Sequence, residues 1–66
     1  MIIGTVRWFN PELGFGFIKL TKSTDAFVHY SSIKTSGYRT LSKGDIVKFD
    51  IILKNHGYAA RNVIPM

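Results

Sequence analysis

Leu13-Gly14-Phe15-Gly16-Phe17-Ile18-Lys19-Leu20, followed closely by Asp25-Ala26-Phe27-Val28-His29-Tyr30, alternates between two kinds of side chain. Successive residues of a strand point to opposite faces of a sheet. Read as a strand, the first stretch puts Phe15 and Phe17 beside charged Lys19, and sets Gly14, Gly16, Ile18 and Leu20 on the other side. The second puts Phe27 with Asp25 and His29, and Ala26 with Val28. Unpaired charges are rarely buried. The ring-bearing faces are therefore expected to be wet, and the glycines, Ala26 and the branched aliphatics to face the core. Glycine weakens a strand unless close packing requires it, so two glycines beneath two exposed rings imply a crowded interior. A flat, wet, aromatic and basic surface suits unstacked nucleobases.

Outward from this pair, strand signals dominate and no segment sustains a helical period. The expected strands run from about Ile2 to Asn10, Gly14 to Leu20, Ala26 to His29, Asp45 to Lys54 and Tyr58 to Ile64. Asn10-Pro11-Glu12, Lys22-Ser23-Thr24 and Asn55-His56-Gly57 supply turns. Short connections imply antiparallel neighbours. From Ser31 to Gly44 the pattern lapses, with one helical turn expected at Ser31-Ser32-Ile33, a bend at Ser36-Gly37, and Ile33 and Leu41 tethering the loop. In the fourth strand Val47, Phe49, Ile51 and Leu53 are expected inside, opposite Lys48 and Asp50. The first strand fails the alternation test, because both parities carry a ring; a β-bulge near Arg7-Trp8 would reconcile them. The inward face of the last strand is not evident. Five short strands cannot fill an ordinary sandwich, whereas a small closed barrel buries one face and removes the edges. The chain is read as all-β, one minimal domain over residues 1–66.

Composition narrows the function. Nine Lys and Arg against four Asp and Glu give a formal charge of +5 and a pI of about 9.9, which favours polyanionic partners. The cations are spread along the chain rather than gathered in a tail. Without cysteine there is no disulfide and no thiolate metal site, and a reducing cytoplasm is the expected compartment. No apolar run approaches about 20 residues, and no signal peptide is expected. His29 and His56 are the only histidines, poor material for a metal site, so no cofactor or metal is expected; His29 is better suited to stacking or to hydrogen bonding with a base. The four dispersed acids include no nucleophile–base pair, which argues against an enzyme. The rival reading is a protein-interaction barrel whose aromatic patch docks a peptide.

Taken in order, Gly4-Thr5-Val6-Arg7-Trp8-Phe9-Asn10, Gly14-Phe15-Gly16-Phe17-Ile18, Asp25-Ala26-Phe27-Val28-His29-Tyr30, Gly37-Tyr38-Arg39-Thr40-Leu41, Gly44-Asp45-Ile46-Val47-Lys48-Phe49, and Gly57 with Asn62-Val63 resemble a cold-shock domain over nearly the whole chain. The resemblance implies a five-stranded antiparallel closed barrel of the OB-fold type that binds single-stranded RNA and DNA, with roles as RNA chaperone, antiterminator and cold-induced regulator. It places the family's first ribonucleoprotein motif on Gly14 to Leu20 and the second on Ala26 to Tyr30. Trp8, Phe15, Phe17, Phe27, His29, Tyr30 and Tyr38 are then the candidate base-stacking rings, and Arg7, Lys19 and Arg39 the candidate phosphate contacts. Phe9, Asn10, Asp25 and His56 complete the candidate nucleic-acid-binding set. The chain departs from the family pattern at Leu13, where Lys is usual, and at Tyr58-Ala59, where Pro-Gln is frequent. Arg61 adds a charge to the last strand. No membrane or small-molecule partner is expected, and a monomer is the default.

Overall fold

The computed structural model describes residues 1–35 and 37–66. Five strands are present: β1 (Ile2–Asn10), β2 (Phe15–Lys19), β3 (Asp25–His29), β4 (Ile46–Lys54) and β5 (Gly57–Pro65). They close into a barrel in the order β1-β2-β3-β5-β4, so every long edge is paired, as the length of the chain requires. One expectation needs correction. The barrel is mixed rather than wholly antiparallel, because β3 and β5 pair in parallel through Ala26↔Tyr58 and Phe27↔Ala59. The tight turns fix β1–β2, β2–β3 and β4–β5 as antiparallel. The long connection after β3 imposes no such constraint, and closure sets the direction of β5.

The turns follow local chemistry. Asn10 Oδ1 accepts the N–H groups of Glu12 (2.9 Å) and Leu13 (3.0 Å), and Gly14 N–H reaches Asn10 O at 2.8 Å; this folds the β1–β2 connection as an Asx turn. The helical turn is a 3-10 turn at Tyr30–Ser32, one residue earlier than expected, with Ile33 N–H closing on Tyr30 O. Half of the bend expected at Ser36-Gly37 falls on Ser36, outside the described residues; Gly37 itself has φ 99°.

The core is formed by Val6, Ile18, Ala26, Val28, Ile33, Leu41, Val47, Phe49, Ala60 and Val63, with Phe9, Leu20 and Ile51 packed against it. Ile33 and Leu41 tether the long loop as expected. Leu53 does not join the core. It is 75% exposed because it lies beside Tyr58 at the end of β4, past the filled interior.

Two bulges explain the strands whose faces were unreadable. In β1 the register shifts between Val6 and Trp8, which pair with the adjacent Ile18 and Phe17. Arg7 is the extra residue, so inward parity passes from Val6 to Phe9 and Trp8 turns outward. In β5, Ile64 pairs with Lys48 but Arg61 with Asp50, which leaves one extra residue near Asn62. Asn62 takes φ 54°, a left-handed conformation that Asn tolerates better than most residues. Inward parity there passes from Val63 to Ala60.

Candidate nucleic-acid interface

The outer face of β1, β2 and β3 is a continuous ring cluster. Trp8 lies opposite Phe17, Phe17 opposite Phe27, and Phe15 opposite His29. Trp8 is 5.6 Å from Phe15, edge-on, and 6.4 Å from Phe17, stacked. Phe27 closes the group at 5.7 Å from Phe15 and 5.9 Å from Phe17. Trp8, Phe17 and Phe27 remain 43%, 37% and 39% exposed, so each is held by its neighbours yet keeps open surface. Phe15 is half-buried among them. The split is the one that alternation predicts: Gly16, Ile18, Ala26 and Val28 are buried beneath.

Gly16 makes the cluster possible. A Cβ there would stand 2.1 Å from Trp8 O and 2.7 Å from Phe9 Cα. The bulged β1 backbone thus comes down onto β2 where no side chain can fit, and the bulge turns Trp8 out beside Phe17.

The polar candidates divide by what they already hold. Arg7 Nε donates to Asp25 Oδ1, and Arg7 Nη2 reaches Lys22 O (3.2 Å) and Thr21 O (3.4 Å). Arg7 and Asp25 therefore neutralise each other and tie the β1 bulge to the β2–β3 turn. Asn10 is committed to its turn, and Phe9 faces the core rather than the rings. His29 Nδ1 receives Ser31 N–H at 3.2 Å and lies 2.8 Å from Ser31 Oγ. An accepting Nδ1 leaves Nε2–H as the donor of the neutral ring. The His29 ring is 4.4 Å from Tyr30. Tyr30 borders a groove of about 470 Å³ with Pro11, Leu13, Tyr38 and Arg39, so the distant loop brings Tyr38 (75% exposed) and Arg39 to the edge of the platform. Lys19 lies with Arg7 on a second groove, whose other wall is Lys43. His56, in the β4–β5 turn, shares a third with Phe27 and Tyr58.

Lys43 and Tyr58 border these grooves although nothing in the sequence places them there. Lys43 has no strand pattern to place it; its loop is held against β1 by Gly44 N–H to Val6 O and Val6 N–H to Asp45 O. Tyr58 reaches Phe27 only through the parallel pairing of β3 and β5. Among the described residues no group of three His, Cys, Asp or Glu side chains is placed to hold a metal, and no helix is long and apolar enough to cross a membrane.

This arrangement, with rings outside the β2–β3 face and loops β1–β2 and β4–β5 at its margins, is the surface that OB barrels use for oligonucleotides. Residues 2–66 match the family model described as 'Cold-shock' DNA-binding domain. The chain belongs to the cold-shock domain family. Similar relatives are the Cold shock proteins CspA of Staphylococcus aureus (strain USA300) and of Staphylococcus haemolyticus (strain JCSC1435), each 44% identical over 63 residues, covering 96% of this chain and 96% of theirs. The cold-shock domain is a nucleic-acid-binding module, not an enzyme, as the scattered acids and missing nucleophile led us to expect.

Proposed function

We propose that the chain binds single-stranded RNA and DNA with little sequence preference, stacking unpaired bases on Trp8, Phe15, Phe17 and Phe27 and continuing past His29 and Tyr30 to Tyr38. The observation that carries this reading is the outward cluster of four rings, none more than 6.4 Å from its neighbour in the set. Every base has a π-face, and each stacked base is typically worth about 1–3 kcal/mol by truncation to Ala. Duplex bases are already stacked on one another, so the rings have little to offer a duplex. Holding strands open by mass action is the activity of an RNA chaperone or an antiterminator-type regulator, here in the cytoplasm. Lys19 and Arg39 supply phosphate contacts at the margins. Arg7 serves the platform chiefly by pinning the bulge that presents Trp8. The test is a Trp8 fluorescence titration with single-stranded and duplex oligonucleotides at two salt concentrations. Quenching by single strands, much weaker with duplex, is expected. Equal response to both, or to neither, refutes the stacking mechanism.

A further inference from the structure

The ring row does not stop at Phe27. Across the barrel, Trp8↔Phe17↔Phe27 continues through Ala59 on β5 to Ile52 on β4. Ala59 is buried without belonging to the core cluster, because it sits on the outer face, covered by its taller neighbours Phe27 and Ile52. The drop from Phe27 to Ala59 opens a groove of about 580 Å³, within the size range of small-molecule sites. Its two banks carry residues from either side of the Ile52↔Ala59 pair on the β4–β5 ladder. Arg61 stands two residues beyond Ala59, and His29, Ser31 and Ser32 line the groove with it. Lys54 stands two residues beyond Ile52 on the other side of the row. Among the described residues no acidic side chain lines the groove. Asp50, the ladder partner of Arg61, holds Asn62 Nδ2 at 3.1 Å and the Met1 amine at 4.0 Å. Among the described residues neither Arg61 nor Lys54 enters a salt bridge.

We propose that this groove is a further nucleotide-binding segment. It would offer the single strand a second exit from Phe27, over Ala59 and Ile52 instead of past His29 and Tyr30, with its phosphates held by Arg61 on one bank and Lys54 on the other. The proposal rests on the stacking platform as the first part of the path. The distance from Phe27 to Ile52 is two strand spacings, about 10 Å, so only a strand longer than the platform itself requires reaches the far bank. Filling the floor with a longer side chain, as in Ala59→Gln, would close the path beside Phe27 while removing none of the rings.

The test is the Trp8 titration with oligothymidines of about four and about eight nucleotides, which span the lower range of site sizes for this kind of barrel. The parent is compared with the double variant Arg61→Ala/Lys54→Ala, with Ala59→Gln, and with Lys48→Ala as a charge control. Lys48 lies between Ile3 and Ile64 on the ladder, outside the groove lining. The double variant should bind the short strand like the parent, lose affinity several-fold for the long one, and show a salt slope shallower by about 0.7 for each phosphate released. Ala59→Gln should likewise weaken only the long strand, and Lys48→Ala should weaken neither selectively. Parent-like binding of both lengths by the double variant overturns the groove while leaving the platform intact. An equal loss for both lengths also overturns it, since the cations would then act at long range. A parent that responds to neither length refutes the platform itself.

Discussion

Replacing Gly16 with Ala tests the link between the glycine-rich strand and the aromatic surface. The added Cβ would lie 2.1 Å from Trp8 O, 2.7 Å from Phe9 Cα and 2.9 Å from Phe9 Cδ1. Carbon contacts are comfortable at about 3.5–4.0 Å, and two of these three neighbours are backbone, which cannot rotate away. The strands must part by about 1 Å or more at the bulge. Overpacking of this kind typically costs about 1–3 kcal/mol, and a ladder hydrogen bond strained by the same movement is worth about 1 kcal/mol more. At the usual 0.05–0.15 kcal/mol per residue, a 66-residue domain has roughly 3–10 kcal/mol in all. Gly16→Ala should therefore lower the urea midpoint substantially and leave a folded population in cold buffer. In that population Trp8 is displaced from Phe15 and Phe17, so intrinsic fluorescence should change and single-strand affinity should fall. Gly4→Ala separates the two effects. Its Cβ meets Ile18 Cγ2 at 2.8 Å, Lys19 O at 2.9 Å and Phe49 Cε1 at 2.9 Å, in the interior rather than beneath Trp8. It should destabilise the domain while folded molecules bind like the parent. A Gly16→Ala protein with parental midpoint, fluorescence and affinity would show that the bulge does not present Trp8.

Phe27→Leu, which keeps apolar bulk but removes the π-face, should weaken binding of oligothymidine by about 1–3 kcal/mol, roughly five- to 150-fold in Kd, with a much smaller change in the urea midpoint. Asn62→Ala removes the bond to Asp50 at 3.1 Å and places a less tolerant residue at φ 54°; a loss of about 1–3 kcal/mol in equilibrium unfolding is expected, and Asn62→Gly should recover part of it. Asp25→Ala breaks an exposed ion pair and should cost no more than about 1 kcal/mol of stability, but it frees Arg7, so the salt dependence of single-strand binding, measured by titration, should steepen.

What was legible in the sequence depended on where the backbone keeps its period. β2 and β3 run without a bulge, so parity alone sorts Phe15, Phe17 and Phe27 from Gly16, Ile18, Ala26 and Val28, and the structure agrees at each of them. β1 and β5 each absorb an extra residue, at Arg7 and near Asn62; in β1 the rings on both parities mark the bulge expected near Arg7-Trp8, whereas in β5 nothing in the composition marks it. Parity alone therefore does not show that Phe9 packs against the core, or which face of β5 turns inward. The parallel pairing of β3 with β5 was invisible for a different reason. Closure of the barrel, not the character of either segment, decides which distant strands meet. The same closure brings Ala59, Arg61 and Lys54 to the edge of the platform, and the packing of the β4-proximal loop on Val6 does so for Lys43. Leu53 fits the alternation of β4 yet ends outside, because periodicity specifies a direction and not how far the core extends.

The distribution of charge bears on selectivity. A formal charge of +5 attracts any polyanion, and duplex DNA presents the denser array of phosphates. Cations alone would therefore favour the duplex. On the proposed mechanism, discrimination toward unpaired strands comes from the rings, and it is strongest where the rings contribute most relative to the charges. Beside the bulge that presents Trp8, Arg7 is already paired with Asp25 and bonded to two carbonyls. Among the described residues, Lys19 with Lys43, Arg39 beside Tyr38, and Lys54 with Arg61 stand at the margins outside any salt bridge. A ligand that reaches those margins without also covering the rings gains only a screened surface interaction. One that threads across the rings gains stacking first and charge second. Pairing Arg7 with Asp25 thus weakens the unselective attraction at the place where it would compete most directly with Trp8.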